Sequence, residues 1–189
     1  MRWQQLFADL QAQFDEQETA AERAEWGSRA RAEIGSVALA DRLGGSVGSP
    51  VSLRCRGAGP VVGRLVEVGP DWLLLEDDHA RPSLVALGAV RAVGGLGRRT
   101  AVAGDPGPVR ARLDLRWALR ALTRDRTAVQ MVLDDGFVLS GTLDRVGADY
   151  VEVAEHPVDE PRRAEAVLGV RTVVIAGIAL VRSGPAALG

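Results

Sequence analysis

Few residue types in this 189-residue chain can do chemistry. It has two histidines (His79 and His156), one cysteine (Cys55), one tyrosine (Tyr150) and no lysine, so all 23 basic residues are arginine. Nucleophilic catalysis needs a Ser or Cys beside a histidine that a third group orients. Neither histidine has such a partner in a recognisable motif; His79 follows Asp77-Asp78 and His156 follows Glu155. Glu76, Asp77, Asp78 and His79 could touch a metal ion, but clustered loop charges are ordinarily solvated. A lone cysteine excludes an intramolecular disulfide framework and a cysteine-based zinc cluster. Cys55 lies in a strand-like alternation and is expected to be a buried, inert thiol. The glycines from Gly94 to Gly97 have no Lys and no Walker spacing, so they form no phosphate-binding loop. The chain is expected to be no enzyme, with no catalytic residues, no metal and no cofactor.

Binding chemistry is better supplied. Arg112, Arg116, Arg120 and Arg124 recur every four residues, one stripe of a helix, with Arg110 nearby. Phosphates held there would bind with a steep salt dependence. The other reading is a solvated stripe, or one compensated by residues 1–27, where Asp9, Asp15, Glu16, Glu18, Glu22 and Glu25 face only Arg2 and Arg23. Trp72 and Tyr150 each follow an Asp. A single-stranded base stacks on such a ring for about 1–3 kcal/mol; otherwise the rings pack against a helix or a neighbouring domain. Trp3, Leu6, Phe7, Leu10 and Phe14, spaced by three and four, are a candidate docking face on an N-terminal helix over residues 2–25.

The elements that position these residues occur twice. Gly63, Leu65, Val68-Gly69 and Asp71-Trp72 recur 78 positions later, without a gap, as Gly141, Leu143, Val146-Gly147 and Asp149-Tyr150. A duplicated unit of this length sets the domain count. Before the first copy a helix is expected over 28–43, with Ile34, Val37, Leu39 and Leu43 as its buried side and Gly44-Gly45 as its stop. Five short strands follow, through Val51–Cys55, the repeated stretch, Leu84–Leu87 and Val90–Val93. Gly94, Gly95, Gly97, Gly104, Pro106, Gly107 and Pro108 mark a linker. A second helix is expected from Val109 to about Thr123, with Leu113, Trp117 and Ala121 down one side and Leu115, Leu119 and Leu122 widening it. Val129, Met131 and Leu133 open the second strand set. Asp135-Gly136 signals a hairpin, and the last strands cover Thr172–Ile175 and Ile178–Val181. By then Val85 matches Val173, an offset of 88. The ten extra residues lie in the polar loop from Glu155 to Leu168.

Composition is that of an ordinary globular protein, 47% hydrophobic and 25% charged, and a net charge of −2 gives no blanket affinity for nucleic acid or membranes. The all-arginine bias, with abundant Ala, Gly and Val, is that of high-G+C bacterial coding. No apolar run opens the chain, and Val173–Val181 is about half of a membrane span, so a cytoplasmic protein with no membrane partner is expected.

A helix followed by five short, bent antiparallel strands resembles the Sm-like fold of Sm, LSm and bacterial Hfq proteins. The resemblance covers roughly residues 36–94 and 116–183. It rests on Gly63-x-Leu65 and Gly141-x-Leu143, the Asp-aromatic pairs, and the closing Val85/Val90/Val93 and Val173/Ile178/Val181. It implies a mainly β fold with α: two tandem five-stranded barrels, each led by a helix. Domains are then 1–27 (helical extension), 28–96 (first barrel), 97–107 (linker), 108–183 (second barrel) and 184–189 (tail). It implies edge-strand pairing into rings, a homo-oligomer or protein partner, and single-stranded RNA at the pore, with Trp72 and Tyr150 at the base-stacking position. The sequence departs at the base-reading residues. The family's Ile-Arg-Gly reads Ile175-Ala176-Gly177, and the Tyr-Lys-His run of Hfq falls on Ala86-Leu87-Gly88 and Val174-Ile175-Ala176. Apolar groups cannot read a base edge, so no standard uridine pocket is expected. Two functions remain: RNA binding with low sequence specificity, or a protein-assembly module without nucleic acid.

Overall fold

A computed structural model describes residues 26, 34–97, 99–101, 112–157 and 167–183. The chain divides into two compact units, Met1–Ala38 and Leu39–Gly189. In the first, the described residues close on a helical turn at 34–36, with Ile34 exposed.

The second unit carries helix α1 (Leu39–Gly44) and strands β1 (Pro50–Cys55), β2 (Gly59–Val68), β3 (Trp72–Glu76), β4 (Pro82–Ala86) and β5 (Val90–Gly94). Helix α2 (Leu115–Asp125) follows, then β6 (Ala128–Leu133), β7 (Val138–Val146), β8 (Tyr150–Glu155), β9 (Gly169–Val174) and β10 (Ile178–Ser183). Short 3-10 turns, Leu87–Ala89 and Ile175–Gly177, separate β4 from β5 and β9 from β10. The strands form one antiparallel sheet in the order β5-β1-β2-β3-β4-β10-β6-β7-β8-β9. The fold is thus mainly β, with all ten strands in one open sheet. Its order contains the same arrangement twice, β5-β1-β2-β3-β4 and β10-β6-β7-β8-β9, with β4 hydrogen-bonded to β10 at the joint.

The two copies agree in local irregularities as well as in order. Both long strands slip register at one place, between Leu65 and Glu67 in β2 and between Leu143 and Arg145 in β7. A bulge of this kind bends a strand and increases its twist. Gly63 and Gly141 lie beside it. A Cβ on either would run into the carbonyl of the facing strand, at Glu76 and Ala154 respectively. That close approach is why the repeated Gly-x-Leu needs glycine.

At the joint the strands are buried on both faces, and alternate residues serve two cores. Leu84 and Ala86 of β4 join the core of the second set, while Val85 joins the first. From β10, Leu180 enters the first core and Val181 the second. From β6, Val132 enters the first and Met131 the second. Strand alternation makes this exchange automatic once β4 and β10 pair.

Three local expectations are corrected. Of the expected buried side of the first helix, only Leu43 is buried; Ile34 and Leu39 are exposed, because 37–38 break the helix and α1 presents little more than one turn to the sheet. Helix α2 turns Leu115 and Leu119 into the core and leaves Trp117 46% exposed, so the line Leu113-Trp117-Ala121 is not its buried face. In the Asp135-Gly136 turn only the glycine takes a positive φ, 93°. Asp135 instead accepts a hydrogen bond from the Phe137 amide (2.8 Å), a side-chain-closed turn.

Candidate nucleic-acid and assembly surfaces

Trp72 and Tyr150 occupy the same place in the two sets, at the start of β3 and β8, directly after a glycine turn. In each turn the glycine amide donates to the aromatic residue's own carbonyl (Gly69 to Trp72 and Gly147 to Tyr150, both 2.8 Å). The ring then folds back over the glycine, where any Cβ would strike it. This accounts for the repeated Gly-x-Asp-aromatic spacing by packing alone. The two rings differ in what covers them. Trp72 is 4% exposed, lies in the core of the second set, and its indole Nε1 donates to the Leu113 carbonyl at 2.7 Å. Its faces are therefore not offered to solvent. Tyr150 is half-buried, with Val151 and Val153 fully buried behind it, as strand alternation requires.

Asp71 and Asp149, next to the rings, support the turns that follow. Their carbonyls accept from the Leu87 amide (2.9 Å) and the Ile175 amide (2.8 Å), which ties β3 and β8 to the two 3-10 turns. The Asp71 carboxylate has a further task. It accepts from the Leu115 amide at 2.7 Å, while Asp114 accepts from the Trp117 amide at 2.8 Å. Two carboxylates thus cap the N-terminus of α2, where unpaired amides and the helix dipole favour negative charge. Loss of hydration pushes the Asp71 carboxyl above the usual carboxylate range. The first strand set in this way carries the helix of the second.

The arginine stripe is split by these contacts. Arg116 is drawn inward, donating to Asp114 (3.2 Å) and to the Ala148 carbonyl (3.3 Å). Arg112, Arg120 and Arg124 are exposed, and none has a side-chain partner among the described residues. Beside Arg116 lies a cleft of about 550 Å³ lined by Asp71, Asp114 and Asp149. Three carboxylates around one guanidinium leave it net acidic, an unfavourable place for phosphate. It is walled by Ala86, Val174 and Ile175, so it offers few groups able to read a base edge.

The acidic loop between β3 and β4 organises itself. Asp77 accepts from the amides of His79 (2.8 Å) and Arg81 (3.0 Å) and from the Arg81 guanidinium (2.7 Å). Those bonds, the Arg81 ones foremost, hold its carboxyl at about 2. His156 is 2% exposed; one ring nitrogen meets Thr142 Oγ1 and the other the Pro157 carbonyl, each at 2.8 Å, so both are occupied within the protein. Cys55 is 5% exposed, and burial pushes its thiol pKa up. The proposed docking residues Trp3, Leu6, Phe7, Leu10 and Phe14 lie outside the described residues, as do 102–111 and 158–166.

The surfaces that sequence reasoning left without residue numbers are the sheet edges. Among the described residues, β9 and β5 each pair on one side only. Val170 and Val174 of β9 are 62% and 60% exposed, whereas their counterparts in β4, Pro82 and Ala86, are half-buried and buried. No protein-family model and no curated protein matches the chain. No helix among the described residues is long and apolar enough to cross a membrane.

Proposed function

We propose that the chain is a non-catalytic assembly module of Sm-like type, two small barrels fused in tandem, which joins further copies head to tail. One observation carries this reading: the β4–β10 joint lies inside the chain, and the strands equivalent to its two halves, β9 and β5, are the free edges. Exposed strand edges carry unpaired backbone groups that template pairing. A heterologous contact repeated by rotation closes into a ring or continues as a filament. Three copies would bring six strand sets together.

The internal joint also supplies the register. There Leu84 faces Val181 and Val85 faces Leu180; shifted by the repeat, Thr172 should face Val93 and Val173 should face Ala92 of the next copy. Arg91 and Arg171 sit on these edges, but both are turned to their own chain, Arg91 to the Gly88 carbonyl (2.9 Å) and Arg171 to Glu155 (2.6 Å). The test is a Thr172→Cys, Val93→Cys double variant, since cross-strand partners fall within disulfide range. Mild oxidation should give a ladder of covalently linked chains. A chain that stays single, or links only within itself, would rule the register out.

A second reading, RNA binding of low sequence specificity, is favoured by the exposed Arg112, Arg120 and Arg124, which have no side-chain partner among the described residues. Contact would be with the phosphate backbone, because Trp72 is covered and the cleft near Tyr150 is acidic. Oligonucleotide affinity should then fall steeply with salt and drop further in Arg120→Glu, Arg124→Glu. An affinity indifferent to both changes would leave assembly alone.

A further inference from the structure

At the mouth of the first core, β4, β10 and β6 run side by side, and their register sets Ser83, Arg182 and Gln130 in one row. By alternation this row shares the face of Val85, Leu180 and Val132, while Ser183 turns to the other face. All three residues are half-buried, and among the described residues no side-chain hydrogen bond or ion pair engages any of them. Arg182 is the one cation of the row. It opens on a cavity of about 330 Å³ whose rim holds Asp77 and Arg81. Those two neutralise each other through a 2.6 Å ion pair, and Arg182 has no carboxylate partner among the described residues.

We propose that this row is a binding site for the phosphate group of a small phosphate ester. A guanidinium fork satisfies two oxygens at once. A carboxylate would be used up by Arg182 alone, whereas a phosphate has a third oxygen for the Ser83 hydroxyl and the Gln130 amide. A cavity of about 330 Å³ is at the lower end of small-molecule pockets and holds more than a phosphate. Pro60 and Val62 on its wall offer the remainder of the ester an apolar surface. The arginines of α2 lie on a different element, so this site is independent of both the edge pairing and any RNA contact.

Calorimetric titration of the full chain with inorganic phosphate, ribose 5-phosphate and ribose tests it. Both phosphates should bind and ribose should not. Loss of one charge-assisted fork, in Arg182→Gln, should weaken binding at least about tenfold, and Arg182→Lys should recover only part. Gln130→Ala guards against a folding defect at Arg182; it should weaken binding several-fold with an unchanged melting temperature. Arg120→Glu, Arg124→Glu should bind like the parent. The site is refuted if neither phosphate binds at millimolar concentration, if ribose binds as well as ribose 5-phosphate, or if folded Arg182→Gln and Gln130→Ala bind as well as the parent.

Discussion

The aromatic pair shows how one residue position can be read two ways. A Trp directly after Gly-x-Asp has the spacing of a stacking platform, and the same spacing is needed for the ring to fold over its own turn. Burial decides between them for Trp72. Trp72→Ala should cost about 3–5 kcal/mol in denaturant unfolding, the usual penalty for emptying a large aromatic site. Trp72→Phe keeps most of the volume but orphans the Leu113 carbonyl, for about 1–3 kcal/mol. Neither should change RNA affinity in samples that remain folded; a loss there would restore the stacking role. Asp77 allows a test by pH. Its carboxyl is held at about 2, below the ordinary 3.8, so the charged form stabilises the folded state above the ordinary value and this contribution is lost as pH falls toward 2. The melting temperature of the parent should exceed that of Asp77→Asn at pH 6, and the gap should narrow between about pH 4 and 2. A gap independent of pH would contradict it.

Among the elements, the strands were the most legible. Glycine turns and the internal repeat place all ten, and in β1 and β2 a half-buried strand also writes its burial into every second residue. The helices were less so. In α2 both Leu115-Leu119 and Trp117-Ala121 run along the axis at helical spacing; the Leu115-Leu119 line is the buried one, and the tertiary cap from Asp71 on the Leu115 amide ties that end of the helix to the first strand set. The joint was invisible for a similar reason: Leu84, Val85 and Ala86 form a short continuous apolar run, which gives no clue that alternate residues enter different cores. Glycine roles divide in the same physical way. Gly141→Ala should destabilise by about 1–3 kcal/mol, because its Cβ would run into fixed backbone, the Ala154 carbonyl and Glu155 Cα. Gly169→Ala, where nothing lies within 4 Å, should be close to neutral in the same unfolding experiment. Equal effects would remove the close-approach explanation for the repeated Gly-x-Leu.

For the whole molecule, the repeat predicts identical strand order in the two halves, and the sheet order bears this out; that the halves share one sheet was not readable from either half alone. The consequence is directional. One end of the sheet presents a β4-like edge and the other a β10-like edge, the same two partners that already meet in the middle. A charge at a position buried in the existing joint should block a second one. Val174 is 60% exposed, while its counterpart Ala86 is 7% exposed, so Val174→Glu should leave the single chain folded and abolish association. The most direct measurement is the native mass of the full chain at micromolar concentration, with Val174→Glu beside it. Integral multiples of 20.0 kDa for the parent, collapsing to one chain in the variant, are expected. A parent that remains a single chain, or a variant that associates equally well, would contradict the proposed joint.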